Sequence, residues 1–244
     1  MGRNTEKYMK DLILTKAKED IPLYFDDFKF FWDNAYREIN DDDLYEIYRA
    51  TLIFKNYKIV FHSLTLNSFD LVLDEIFEDI NSSFFLSLMG LYRSAHMHLR
   101  SSIELTLQLI YFIHHPIEYK KWKDGNFVIK HDKITQYIAS HPNFDTDISS
   151  LMTIITQYWK KFSKHIHGES PIFFQSETDV RKTNTFSAKD YNVWKGNFTK
   201  NIYVLNKLLL LFFKNDISRF PHKSLEMLLS RLKDEDRDLI ENNN

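Results

Sequence analysis

The chain has 244 residues and no cysteine, and its five glycines and five prolines make up about 4% of it against a usual share of roughly 12%. So few turn formers exclude a β-sandwich or barrel, which needs a turn signal roughly every 8–12 residues, and also a doubly wound fold with its glycine-rich phosphate turn. With 32 Lys+Arg against 34 Asp+Glu the net charge is −2, which excludes a generally basic nucleic-acid coat, and the lack of cysteine excludes disulfides and thiolate chemistry.

An all-α helical bundle is therefore the predicted class, and helices can be placed in chain order. Thr5 to Ile39 predicts two helices split at Pro22, which suits a first helical position because no N–H is needed there. Asp41-Asp42-Asp43 predicts the N-cap and negative first turn of a helix ending near Leu66, and Asn67-Ser68 restarts the chain for Phe69 to Ile80. Ser82 to His115 reads as one long central helix, capped by Ser82 or Ser83, bent at Gly90 and stopped by Pro116. Short helices follow at Ile117–Lys123 and Asp132–Ser140, separated by Asp124-Gly125-Asn126. Asp147 opens a helix through Leu151, Ile154, Ile155, Tyr158, Trp159, Phe162 and Ile166, which Gly168 ends. Glu169 to Phe186 reads as a loop with a short extended piece at Ile172–Phe174. Ser187 then starts a long helix to Phe213, and an amphipathic C-terminal helix is predicted over Pro221–Glu241.

These elements divide into an acidic N-terminal helical extension (1–66), a bundle core (67–215) and a C-terminal helix (216–244) packing on the core or on a second copy. Charge follows a similar division. Residues 1–80 carry 10 basic and 17 acidic groups, whereas residues 81–215 carry 17 basic and 10 acidic groups and 8 of the 10 histidines. A basic, histidine-rich centre can accommodate an anion such as RNA or a nucleotide phosphate; equally, it can serve as the electrostatic complement of the acidic helices.

On the long helix, Arg93, His96, Arg100, Glu104, Tyr111 and His114 fall within about 80° of one another at about 100° per residue. The remaining circumference is apolar, so the helix is expected to be central and its polar stripe partly buried, with Arg100 and Glu104 pairing at i, i+4. In the second polar element, Tyr158 to Gly168, Ser163 and His167 share one face while His165 points toward Lys161 and solvent. Packing of the two helices would then gather Arg100, Glu104, Ser163 and His167.

Leu99-Arg100-Ser101-Ser102-Ile103-Glu104 in a long helix, followed some sixty residues later by Phe162-Ser163-Lys164-His165-Ile166-His167-Gly168, resembles bacterial helical proteins of the HEPN-like kind (higher eukaryotes and prokaryotes nucleotide-binding) over roughly residues 68–214. The resemblance implies a helical bundle, often a homodimer, from toxin–antitoxin or phage-defence loci with a protein partner encoded nearby. It also implies metal-independent ribonuclease chemistry, with an Arg holding phosphate and a His as general acid/base on the 2′-hydroxyl. Arg93 and His98 have the family's Arg-to-His spacing, but five helical steps set them about 140° apart. The candidate catalytic set is therefore Arg100, Glu104 and His167, with Arg93, His96 and Ser163 as weaker members. In the alternative reading, the Arg100/Glu104/His167 cluster is structural and the protein is a non-catalytic dimeric scaffold.

Other chemistries find less support. The His96/His98, His114/His115 and His165/His167 pairs have the wrong spacing for helical metal chelation, and His114 and His115 suit a helix end, so no metal or cofactor is expected. Nucleophile-elbow, Walker and dinucleotide motifs are absent. Lys120-Lys121-Trp122-Lys123 and Lys160-Lys161, each beside an aromatic, can grip phosphate or simply be solvated. The longest apolar run, Ile202–Phe213, is about 12 residues long and contains Asn206 and Lys207, short of the roughly 20 a span needs. Met1 to Asp20 has no apolar signal core, so no membrane association and a cytoplasmic location are expected.

Overall fold

The computed structural model describes residues 37–167 and 186–241, together with Thr15, Lys18 and Ala35; the side chains of Ile166 and His167 are outside that description. Most of the two helices predicted over Thr5–Ile39, the Gly168 stop and all of the predicted Glu169–Phe186 loop except Phe186 therefore lie outside the described residues. Everything regular among the described residues is helical, as the composition requires, and the bundle shares one continuous hydrophobic core.

Helix α1 spans Asp41–Ser63, and its N-cap is Asn40, whose side chain accepts from the Asp43 N–H at 2.8 Å. The three aspartates thus supply only the negative first turn, and the cap falls one residue earlier than predicted. Ile47, Ala50, Ile53, Phe54, Tyr57, Val60 and Phe61, spaced three or four apart, bury α1 in the same core as the central helices.

After a 3₁₀ turn at Asn67–Phe69, α2 runs Asp70–Leu88 and α3 runs Tyr92–Ile113. The single long helix predicted over Ser82–His115 is thus two helices. Gly90 adopts φ 73°, and the Leu91 N–H reaches back to the Leu86 carbonyl at 2.8 Å while Gly90 N–H bonds Ser87 O at 3.1 Å. That left-handed closure ends α2 and folds α3 back against it, so the glycine is a break and not a bend. Ser82 and Ser83 lie inside α2 and cap nothing; Ser83 Oγ instead donates to Ala95 O across the hairpin at 2.8 Å.

Pro116 opens α4 (Pro116–Lys123) at a position where its missing N–H costs nothing, and α5 covers His131–Ala139. Helix α6 (Ser149–His167) begins where Asp147 accepts from the Ser149 N–H, and α7 (Ala188–Phe212) begins at the Ser187 cap. The predicted tail helix is divided into α8 (His222–Leu229) and α9 (Asp234–Glu241), after a 3₁₀ segment at Lys214–Arg219. The break lets Leu228 and Leu229 on one piece and Ile240 on the other reach the core separately.

In this arrangement α3 sits at the centre, packed against α2, α5, α6 and α7. Asn206, inside the most apolar run of α7, ties three helices: the Tyr57 hydroxyl of α1 donates to its Oδ1 at 2.8 Å, and its Nδ2 donates to Leu228 O of α8 at 2.9 Å. Lys207 next to it pairs with Asp236 of α9. No helix among the described residues is long and apolar enough to cross a membrane.

The Gly90 closure makes a direct prediction. Gly90→Ala should cost about 1 kcal/mol of stability, because a Cβ is strained at this φ. Urea unfolding measures it, and an unchanged midpoint would contradict the assigned role.

Candidate functional site

The polar stripe of α3 faces α6 and α7, as its position on a central helix requires. Arg100 Nη2 lies 2.9 Å from Glu104 Oε1, the pairing expected from the i, i+4 spacing. The second partner of Glu104 comes from α6: the Trp159 indole N–H donates to the same oxygen at 2.7 Å. The Arg100 guanidinium lies 5.0 Å from the Trp159 ring centroid, and His131 of α5 stacks on Trp159 at 4.0 Å and 11°. Arg100 Nε and His131 Nε2 are buried without a hydrogen-bond partner among the described residues.

Ser163 does not join this group. Its hydroxyl turns back onto its own helix, donating to Trp159 O at 2.8 Å, because a helical serine finds the carbonyl four residues earlier closer than any neighbouring helix. Trp159 and His131 complete the cluster instead. Trp159 registers in the sequence as an apolar-face residue, and its indole N–H was the available signal; nothing in the sequence placed His131 beside it. The side chain of His167, the acid/base candidate, is outside the described residues.

His165 departs from its predicted outward direction. Its ring stacks on buried His96 at 4.1 Å and 1°, and its backbone carbonyl accepts from Arg93 Nε. Arg93 and His98 diverge as the helical angle requires, since His98 Nδ1 lies 2.7 Å from Asp79 Oδ1 on α2. His96 places Nδ1 at 2.7 Å from Tyr92 O and Nε2 at 2.9 Å from Asn197 Nδ2. Burial, then His165 and Lys161, pushes the His96 pKa from 6.5 down to about 3. Burial, then Lys161 and Arg93, pushes His165 down to about 4.

At the end of α3, His114 is the C-cap residue and packs against His141, while His115 stacks on Tyr111 at 3.8 Å. Burial, followed by His114 and His115, lowers the His141 pKa. Among the described residues no group of three or more His, Asp or Glu is assembled to hold a metal ion.

A second feature stands beside the polar stripe. Between α6 and α7, extending to the residue before α9, lies a cleft of about 650 Å³. Ile154, Tyr158 and Val204 give it an apolar body, and Lys161, Lys200 and Lys233 line it. Burial, then Lys200, pushes the Lys161 ammonium below its ordinary range. Lys161 Nζ donates to Asn197 Oδ1 at 2.7 Å, and none of the three lysines is in an ion pair among the described residues. Tyr203, also on the lining, donates to Asp236, which Lys207 already pairs. The sequence pattern marks Lys160-Lys161 but not Lys200 and Lys233, which lie some forty and seventy residues away and meet Lys161 only through helix packing.

The chain matches no family model, and no curated protein or solved structure shows significant similarity to it.

The His96–His165 stack predicts acid sensitivity. Both native pKa values lie below the unfolded value near 6.5, so on acidification the unfolded chain takes up protons first. Their contribution to stability is complete above about pH 6.5 and declines as the pH falls toward the folded values. His165→Phe keeps a stacked ring but removes one titrating group and should flatten the fall in Tm between about pH 6.5 and 4.5. An unaltered slope would show that the stack is not a source of it.

Proposed function

We propose that this chain is an RNA-binding effector of the HEPN-like kind that takes RNA phosphate in the cleft between α6 and α7. One observation carries this reading: Lys161, Lys200 and Lys233 line a single cleft and none of them is neutralised by an ion pair among the described residues. Like charges held close together repel one another, as Lys200 does Lys161, and a bound anion relieves that repulsion; Lys233 also feels the Asp236 carboxylate, which Tyr203 and Lys207 hold. The aromatic face of Tyr158 beside the lysines offers a surface on which a base can stack, the usual complement of a backbone-gripping groove.

In the ribonuclease form of this reading, His167 is the acid/base and Arg100 the phosphate or orienting residue. A second reading, a non-catalytic helical scaffold, is favoured by the way Glu104 accepts from both Arg100 and Trp159 and so joins α3 to α6. Arg100→Ala separates the two. In the scaffold reading it lowers the Tm and leaves RNA intact in every assay. In the ribonuclease reading it leaves the Tm nearly unchanged and abolishes a chelator-resistant cleavage that His167→Ala also abolishes.

Binding itself is tested with a fluorescent single-stranded oligoribonucleotide. Three phosphate contacts predict a log–log salt slope of about −2. Lys200→Glu and Lys233→Glu should each weaken binding about tenfold or more and flatten that slope. Unchanged affinity in both variants would remove the cleft from the function.

A further inference from the structure

Among the described residues Lys161 is the one cleft lysine whose ammonium donates to a side chain of the protein. Its partner, Asn197, is buried on α7, and the opposite end of the same amide meets buried His96. The direction of every hydrogen bond in this chain of groups follows from its two ends. Tyr92 O is a carbonyl and can only accept, so His96 Nδ1 carries a proton and donates to it. The ammonium of Lys161 can only donate, so Asn197 presents Oδ1 to it and Nδ2 to His96. His96 Nε2 must then accept, and the ring is the neutral Nδ1–H tautomer. A pKa near 3 agrees with that state, and the charged or titratable groups that act on the ring, His165 and Lys161, both disfavour a positive charge on it.

We propose that Asn197 and His96 are positioning residues for the cleft: a one-way hydrogen-bond relay from the Tyr92 carbonyl through neutral His96 and the Asn197 amide fixes where Lys161 presents its ammonium to a phosphate. The proposal rests on the cleft being the RNA phosphate site. A free lysine must lose its rotamer entropy when it grips an anion, whereas Lys161 has already lost part of it to Asn197. Two of its three ammonium protons remain for ligand. A flipped Asn197 amide would turn an NH₂ group toward the ammonium and drive it away, and neutral His96, by accepting from Nδ2, is the group that prevents the flip.

Two measurements test the relay. In the unmodified protein, ¹⁵N-edited NMR of the imidazoles at neutral pH should show His96 protonated at Nδ1 and bare at Nε2; an Nε2–H tautomer overturns the relay without any variant having to fold. With the oligoribonucleotide, Lys161→Met and Asn197→Leu should each weaken binding about fivefold, and the double variant should be no weaker than either single one. Independent, multiplying losses would mean that Asn197 does not act through Lys161 and would overturn the proposal. So would unchanged affinity in Asn197→Leu where Lys200→Glu and Lys233→Glu bind poorly, a result that leaves the cleft reading intact. Failure of all four cleft variants to alter binding would instead overturn the cleft reading and the relay's function with it.

Discussion

On α3, His96, Ser102 and Thr106 are buried and Glu104 is half-buried, and a buried polar group must find its hydrogen bond on a neighbouring helix or on its own backbone. That requirement sets the packing of the bundle. His96 meets Asn197 of α7 at 2.9 Å, Ser102 meets Asn201 of α7 at 3.0 Å, and Glu104 meets Trp159 of α6 at 2.7 Å. Asn197 and Asn201 are one turn apart, so they form a short polar ladder on the face of α7 turned toward α3. A helix slipped by one residue or rotated by one position would lose these bonds together, leaving several buried groups unpaired. Apolar contacts alone, dominated by interchangeable Leu, Ile and Phe, would tolerate such a slip far better.

The same logic separates the two polar sites. In the Arg100 cluster, charge is paired: the guanidinium has a carboxylate, the carboxylate has a second donor, and the Trp159 indole meets both the Arg100 guanidinium and the His131 ring. In the α6–α7 cleft, charge is open. Burial, then Lys200, lowers the Lys161 pKa. A protein with a net charge of −2 has acidic groups to spare, and among the described residues none of them is paired with these lysines.

How much of this was legible in the sequence depended on the range of the interaction responsible. Helix class, most helix boundaries and the Arg100–Glu104 pair are local, set by scarce turn formers, caps and an i, i+4 spacing, and they could be read directly. Gly90 was visible as an irregularity, but whether a glycine bends or breaks a helix is decided by what α3 can pack against on return, and that is a tertiary matter. The Pro221–Glu241 pattern was amphipathic throughout, yet its apolar residues had to meet different parts of the core, which split it into two short helices. Helical-wheel geometry placed Ser163 toward α3 and His165 toward solvent. The wheel ignores that serine prefers its own backbone carbonyl, and that an imidazole gains by covering another ring at 4.1 Å.

The three lysines of the cleft show why charge sums could not place them together. The excess of basic over acidic groups in residues 81–215 located a positive third of the chain, but Lys233 lies outside that third and reaches the cleft only because the tail is broken just before α9. The break that the periodicity failed to show is therefore what delivers the third ammonium. Lys161 owes its place to the opposite kind of control, a buried amide and an imidazole whose tautomer is dictated by one backbone carbonyl. Under the proposed reading, a cation at the rim and one held on the wall would divide the capture of an anion between them, the first attracting a phosphate from a distance and the second deciding where it comes to rest.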